Sequence, residues 1–60
     1  MIKLILVRKR DFGRMDIITW SEYENMERAM AGFNANRSNF AGGTAIFEED
    51  GIPVKEINVM

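Results

Sequence analysis

Neither histidine nor cysteine occurs in this chain, and their absence removes most of the chemistry a small domain can carry. Zinc sites are built from thiolate and imidazole, and disulfide frameworks and thiol nucleophiles need cysteine. Ser21, Ser38 and Thr44 are hydroxyls with no imidazole to activate them, and the three lysines have no recognisable context for an activated amine. Carboxylates remain. Glu48-Glu49-Asp50 could approach a hard cation through oxygen, but no EF-hand-like alternation follows, and three adjacent acids equally suit a solvated hairpin tip. Acid–base catalysis calls for two carboxylates converging in a cleft with separated pKa values, a pattern the sequence does not display. The expectation is a non-enzymatic protein with no catalytic residue, no metal and no cofactor.

Other constellations bear on binding. Gly42-Gly43-Thr44 resembles an anion-binding turn in composition, but phosphate loops place their glycines ahead of a helix, and here a strand follows. Arg8, Lys9 and Arg10, with Arg14 across a turn and Phe12 at its tip, join positive charge to an aromatic ring. That combination can hold phosphates and stack on a base, although Asp11 and Asp16 dilute it. Met15, Met26 and Met30 with Trp20, Tyr23 and Phe33 suggest core packing rather than a ligand pocket in so small a domain.

These residues need elements to hold them. Ile2 to Val7 is apolar at both alternations and ends in the charged stretch Arg8 to Asp11, which reads as a central strand leaving the core. Asp11-Phe12-Gly13 offers a turn, and Arg14 to Thr19 a returning strand. Two overlapping hydroxyl-x-x-carboxylate signatures, beginning at Thr19 and at Ser21, place the start of a helix there, with the Thr19 register favoured because Ile18 and Tyr23 then form a hydrophobic staple. Tyr23, Met26, Ala29, Met30 and Phe33 fall on one helical face, Glu24 and Arg28 form an outward pair, and Gly32 or an asparagine after it ends the helix.

Residues 34–43 read as the longest loop, a cluster of turn formers around Phe40. Thr44 to Glu48 and Val54 to Val59 read as two strands joined across Glu49-Asp50-Gly51, and Pro53, lacking an N–H, puts the last strand at the sheet rim. The fold class is α+β: a single β-β-α-β-β domain over residues 1–60, one helix on a mainly antiparallel four-stranded sheet.

Size then frames function. A chain of 60 residues buries only about 60% of its unfolded surface, and without staples its core supplies about 3–5 kcal/mol. One helix covers one face, while Ile5, Val7 and Ile46 (or its alternates Ala45 and Phe47) leave apolar side chains on the other. The expected activity is protein binding by a sheet face or edge through Ile5, Val7 and Ile46, as a homodimer or with another protein. Small inhibitors and adaptors, including those of phages and other mobile elements, are often of this size. The alternative is a nucleic-acid-binding protein using Arg8, Lys9, Arg10, Phe12 and Arg14. A formal net charge of −1 gives no strong global field. The longest apolar run, Leu4 to Val7, is far short of the roughly 20 residues that span a bilayer, so no membrane association and a cytoplasmic location are expected.

Overall fold

The computed structural model describes residues 1–9 and 15–59, with Lys9 and Met15 described by backbone alone. Strands β1 (Ile2–Lys9) and β2 (Met15–Tyr23) precede helix α1 (Met26–Asn36), and strands β3 (Thr44–Glu49) and β4 (Ile52–Asn58) follow it. The four strands form one sheet in the order β2-β1-β3-β4, and each neighbouring pair is antiparallel. Because β2 and β3 both run against β1, they are parallel to each other. The helix is therefore the crossover of a split βαβ unit, with β1 threaded between its two strands. This is the expected β-β-α-β-β domain, with the first strand central and the proline-bearing strand at the edge.

Strand alternation sorts β1 into two sets. Ile2, Leu4 and Leu6 are buried beneath the helix and meet Phe47, Ala45 and the helical Ala29 and Phe33. Phe33 and Phe47 are the largest fully buried side chains, in an edge-to-face contact with ring centroids 5.8 Å apart. Each such burial stabilises by about 1.5–3 kcal/mol, and the pair geometry adds about 0.5–1.5 kcal/mol. Tyr23, Met26, Met30, Phe40 and Ile57 pack around this centre. Of the helical face expected for Tyr23, Met26, Ala29, Met30 and Phe33, the last four lie on α1 and form the face that the core uses, whereas Tyr23 packs there from the end of β2.

The helix begins later than either hydroxyl signature indicates. Thr19 and Ser21 lie in β2, paired with Leu6 and Leu4, so neither caps a helix. The cap is Asn25, in extended conformation, whose side-chain Oδ1 accepts from the Arg28 backbone N–H at 2.9 Å. The residues Ile17-Ile18-Thr19-Trp20 explain the outcome: β-branched and aromatic side chains favour a strand, and continued pairing with β1 satisfies backbone groups that a helix at Thr19 would have removed from the ladder. Glu24 and Arg28 do form an ion pair, at 3.9 Å, but both are well exposed and Glu24 lies just outside the helix.

Of the two expected stops, an asparagine after Gly32, Asn36, ends the helix and Gly32 itself does not. A Cβ there would run into the Tyr23 ring, so the glycine lets the end of β2 lie flat against α1. The chain continues to Asn36, whose Nδ2 donates to the Gly32 carbonyl at 3.0 Å, and then tightens into a 3-10 turn, Arg37–Phe40. Most of the expected 34–43 loop is thus helical, leaving a short link to β3. Gly42 N–H donates to the Val59 carbonyl and Val59 N–H to the Gly43 carbonyl, at 2.8 and 2.9 Å, which ties the chain end to that link and buries Val59 in the core.

The second hairpin closes as its sequence indicates. Asp50 and Gly51 both take positive φ, 52° and 83°, the backbone of a two-residue turn matched to strand twist. A register shift between Phe47 and Glu48 follows along β3–β4, near Pro53. The first hairpin's tip, Asp11-Phe12-Gly13, lies outside the described residues.

Candidate interaction face

Residues paired across an antiparallel sheet share a face, so the register shows what the helix leaves open. Ile5 is the reference point: its partners are Trp20 on β2 and Ile46 on β3, and Ile46 in turn pairs with Glu56 on β4. One row along the sheet, Lys3 lies between Glu22 and Glu48. In the opposite direction Val7 pairs with Ile17 and Thr44. A charged row therefore borders one that is apolar from Trp20 to Ile46 and ends in Glu56, on the face opposite α1.

Burial separates these residues further. Trp20 is 53% exposed and Ile17 64%, while Ile5 and Ile46 are half-buried. The Lys3 ammonium sits 4.5 Å from the centroid of the Trp20 ring, a cation–π contact that holds positive charge on this face rather than letting it sweep through solvent. Lys3 and Glu48 are themselves half-buried.

The expected binding residues are not equivalent in place. Ile5 and Ile46 are adjacent on the open face, whereas Ala45 and Phe47, the alternates to Ile46, point to the helix side and are fully buried. Val7 is buried at 4% exposure although it stands outside the helix-side core cluster. It has little surface of its own to offer a partner. Trp20 belongs on the open face and not with Tyr23, Met26, Met30 and Phe33 in the core, which corrects the grouping of the aromatics. Only the length of β2 could have revealed this, since Trp20 changes from a helix-start residue to an outward strand residue when the strand runs to Tyr23.

The acids Glu48 and Glu49 are consecutive in β3 and so point to opposite faces, with Asp50 in the turn. Among the described residues no group of acids, histidines or cysteines has the arrangement to hold a metal ion, and no pocket is present. Thr44 Oγ1 donates to Asn58 Oδ1 at 3.2 Å, so the Gly42-Gly43-Thr44 hydroxyl is engaged within the sheet. Of the basic set, Arg8 is exposed on β1 and Lys9 is described by backbone alone; Arg10, Phe12 and Arg14 lie outside the described residues. No helix among the described residues is long and apolar enough to cross a membrane.

The edges differ from the face. β4 carries Pro53, which cannot donate to an added strand, and its exposed Ile52 and Val54 sit near the turn. β2 shifts register where Ile18 is bypassed between Thr19 and Ile17, and such a bulge also disfavours regular addition of a strand. The face is where apolar residues of three neighbouring strands adjoin, with Trp20, Ile5 and Ile46 in one row. Comparison with protein-family models, curated proteins and solved structures finds no significant match to this chain.

Proposed function

We propose that this protein is a non-enzymatic interaction module, an adaptor or inhibitor in kind, that docks through the helix-free face of its sheet. The observation that carries this reading is the contiguity of Trp20, Ile17, Ile5 and Ile46 on a face that no element among the described residues covers. Isolated exposed apolar residues are ordinary on protein surfaces, but a continuous patch rimmed by charge marks a contact surface. Trp20 is the side-chain type that most often anchors interfaces, and Lys3, Glu22, Glu48 and Glu56 supply the polar rim. The nucleic-acid alternative rests on Arg8, Lys9, Arg10, Phe12 and Arg14, of which Arg8 alone has a described side chain, exposed on β1.

A photoreactive amino acid tests the face directly. Placed at Ile46 on the open side, it should give a covalent adduct to a protein partner after illumination in cells; placed at Lys55, on the helix side of β4, it should not. Equal adducts from both positions, or none from Ile46, would contradict the reading.

A further inference from the structure

The register allows the ways of laying one open face on another to be compared. A twofold axis in the interface and across the strands would set the charged row of Lys3, Glu22 and Glu48 against the partner's row of Ile17 and Val7. That arrangement desolvates charge with nothing to compensate it. An axis along the strands keeps each row upon itself. Placed between β1 and β3, it exchanges these two strands, so Ile5 meets the partner's Ile46 and Lys3 meets the partner's Glu48. At the rim, where the carboxylate keeps its water, Trp20 meets the partner's Glu56. Each contact occurs twice, as an isologous interface requires.

Area selects among axes of this direction. Strands about 4.8 Å apart and side-chain rows about 6.7 Å apart make a four-stranded face on the order of 20 Å square, so two such faces bury roughly 1,000 Å² with their relief, the lower limit for a specific interface. An axis between β1 and β2 would leave β3 and β4 overhanging and would cover about half as much, within the range of chance contacts. The central axis also puts the half-buried Ile5 and Ile46 at the middle and the more exposed Trp20 at the rim.

From this complementarity and area we infer that the occupant of the open face is a second copy of this chain, packed sheet to sheet about a twofold axis between β1 and β3. Resting on the reading of that face as a docking surface, this assignment names its partner. The sheets would lie about 10 Å apart and cross at about 30°. The pairings of Lys3 with the partner's Glu48 fix the register, and their charges would be worth more there than in water because the isoleucines exclude solvent.

A charge-exchange experiment tests this arrangement. Light scattering coupled to size exclusion at about 50 µM should give wild type a mass twice its 6.9 kDa. Lys3→Glu sets glutamate against the partner's Glu48, and Glu48→Lys sets lysine against the partner's Lys3, so each variant alone should run as a monomer. Mixed in equal amounts, the two variants again present unlike charges at both contacts, and the mixture should recover the dimer. Recovery also shows that both variant chains are folded. Lys55→Glu, on the helix side, should leave the mass unchanged.

Monomeric wild type at this concentration overturns the inference, whereas the docking reading falls if Ile46 yields no adduct or no more than Lys55 does. A dimer that tolerates both variants, or a mixture that stays monomeric, overturns the arrangement. Recovery by mixing Lys3→Glu with Glu22→Lys, but not with Glu48→Lys, would move the axis to between β1 and β2 and overturn it as well.

Discussion

Phe47 and Ile46 are neighbours in one strand and live in different environments. Phe47 is fully buried against Phe33 under the helix, while Ile46 lies half-buried beside Ile5 on the side without a second layer. Both are large and apolar, and both occupy the most central part of the sheet. The difference lies in what covers them: α1 supplies the second wall of the core on one side, and the described chain has no remaining element to supply it on the other. Apolar residues on the first side specify the fold. On the second, Ile5, Ile46, Ile17 and Trp20 are kept partly in water, at no gain to the isolated chain, which is why they point to association.

Substitutions can break or sharpen that contrast. Phe47→Ala should cost about 3–5 kcal/mol through lost burial and a residual cavity, enough to unfold much of the population, as denaturant titration with circular dichroism would record. Ile46→Ala, one residue away, should cost about 1 kcal/mol or less in the monomer because the site is already wet. Similar losses at both positions would mean that the open face contributes to the monomer's own core. Gly51→Val should cost about 1–2 kcal/mol, since a β-branched residue resists the positive φ of the turn, and an unchanged denaturation midpoint would remove that turn from the stability of the sheet.

Smaller effects probe the boundary between sheet and helix. Gly→Ala inside a helix ordinarily stabilises by about 1 kcal/mol. At Gly32 the added methyl must displace the Tyr23 ring, so the measured change should be a loss of about 1 kcal/mol; a gain would show that Tyr23 yields without cost. Asn25→Ala should remove about 1 kcal/mol by leaving the Arg28 N–H without its cap, detectable as a lower melting temperature with unchanged association.

The parts of the fold legible in the sequence are those where local and tertiary preferences agree. Asp50-Gly51 demands its turn, Pro53 demands an edge, Ile2 to Val7 carries apolar side chains at both alternations, and Met26, Ala29, Met30 and Phe33 recur at helical spacing. The segment 17–23 is harder because its residues satisfy two rules at once. Thr19 and Ser21 have the hydroxyls of helix caps, yet Ile17, Ile18 and Trp20 favour a strand, and the neighbouring β1 decides between them by offering hydrogen-bond partners. In the same way, Asn34, Asn36 and Ser38 are poor helix formers individually. Burial of Phe33 and packing of Phe40 hold the chain in helical turns regardless.

The site follows this pattern. Ile5 and Ile46 could be found from the second apolar alternation, because a single helix leaves one face without a helix whatever the strand order. Trp20, Ile17, Lys3 and Glu48 could be placed on that face only once the register of β2 and β3 against β1 was known.

Methyl NMR of isoleucine-labelled protein reports both faces in one spectrum. Ile2 and Ile57 belong to the helix-side core, and Ile5 and Ile46 to the open face. On dilution from about 500 µM to about 5 µM, the δ1-methyl signals of Ile5 and Ile46 should shift together along one binding curve while those of Ile2 and Ile57 stay in place. Stationary Ile5 and Ile46 signals across that range, or equal shifts at all four residues, would contradict a second copy docked on the open face.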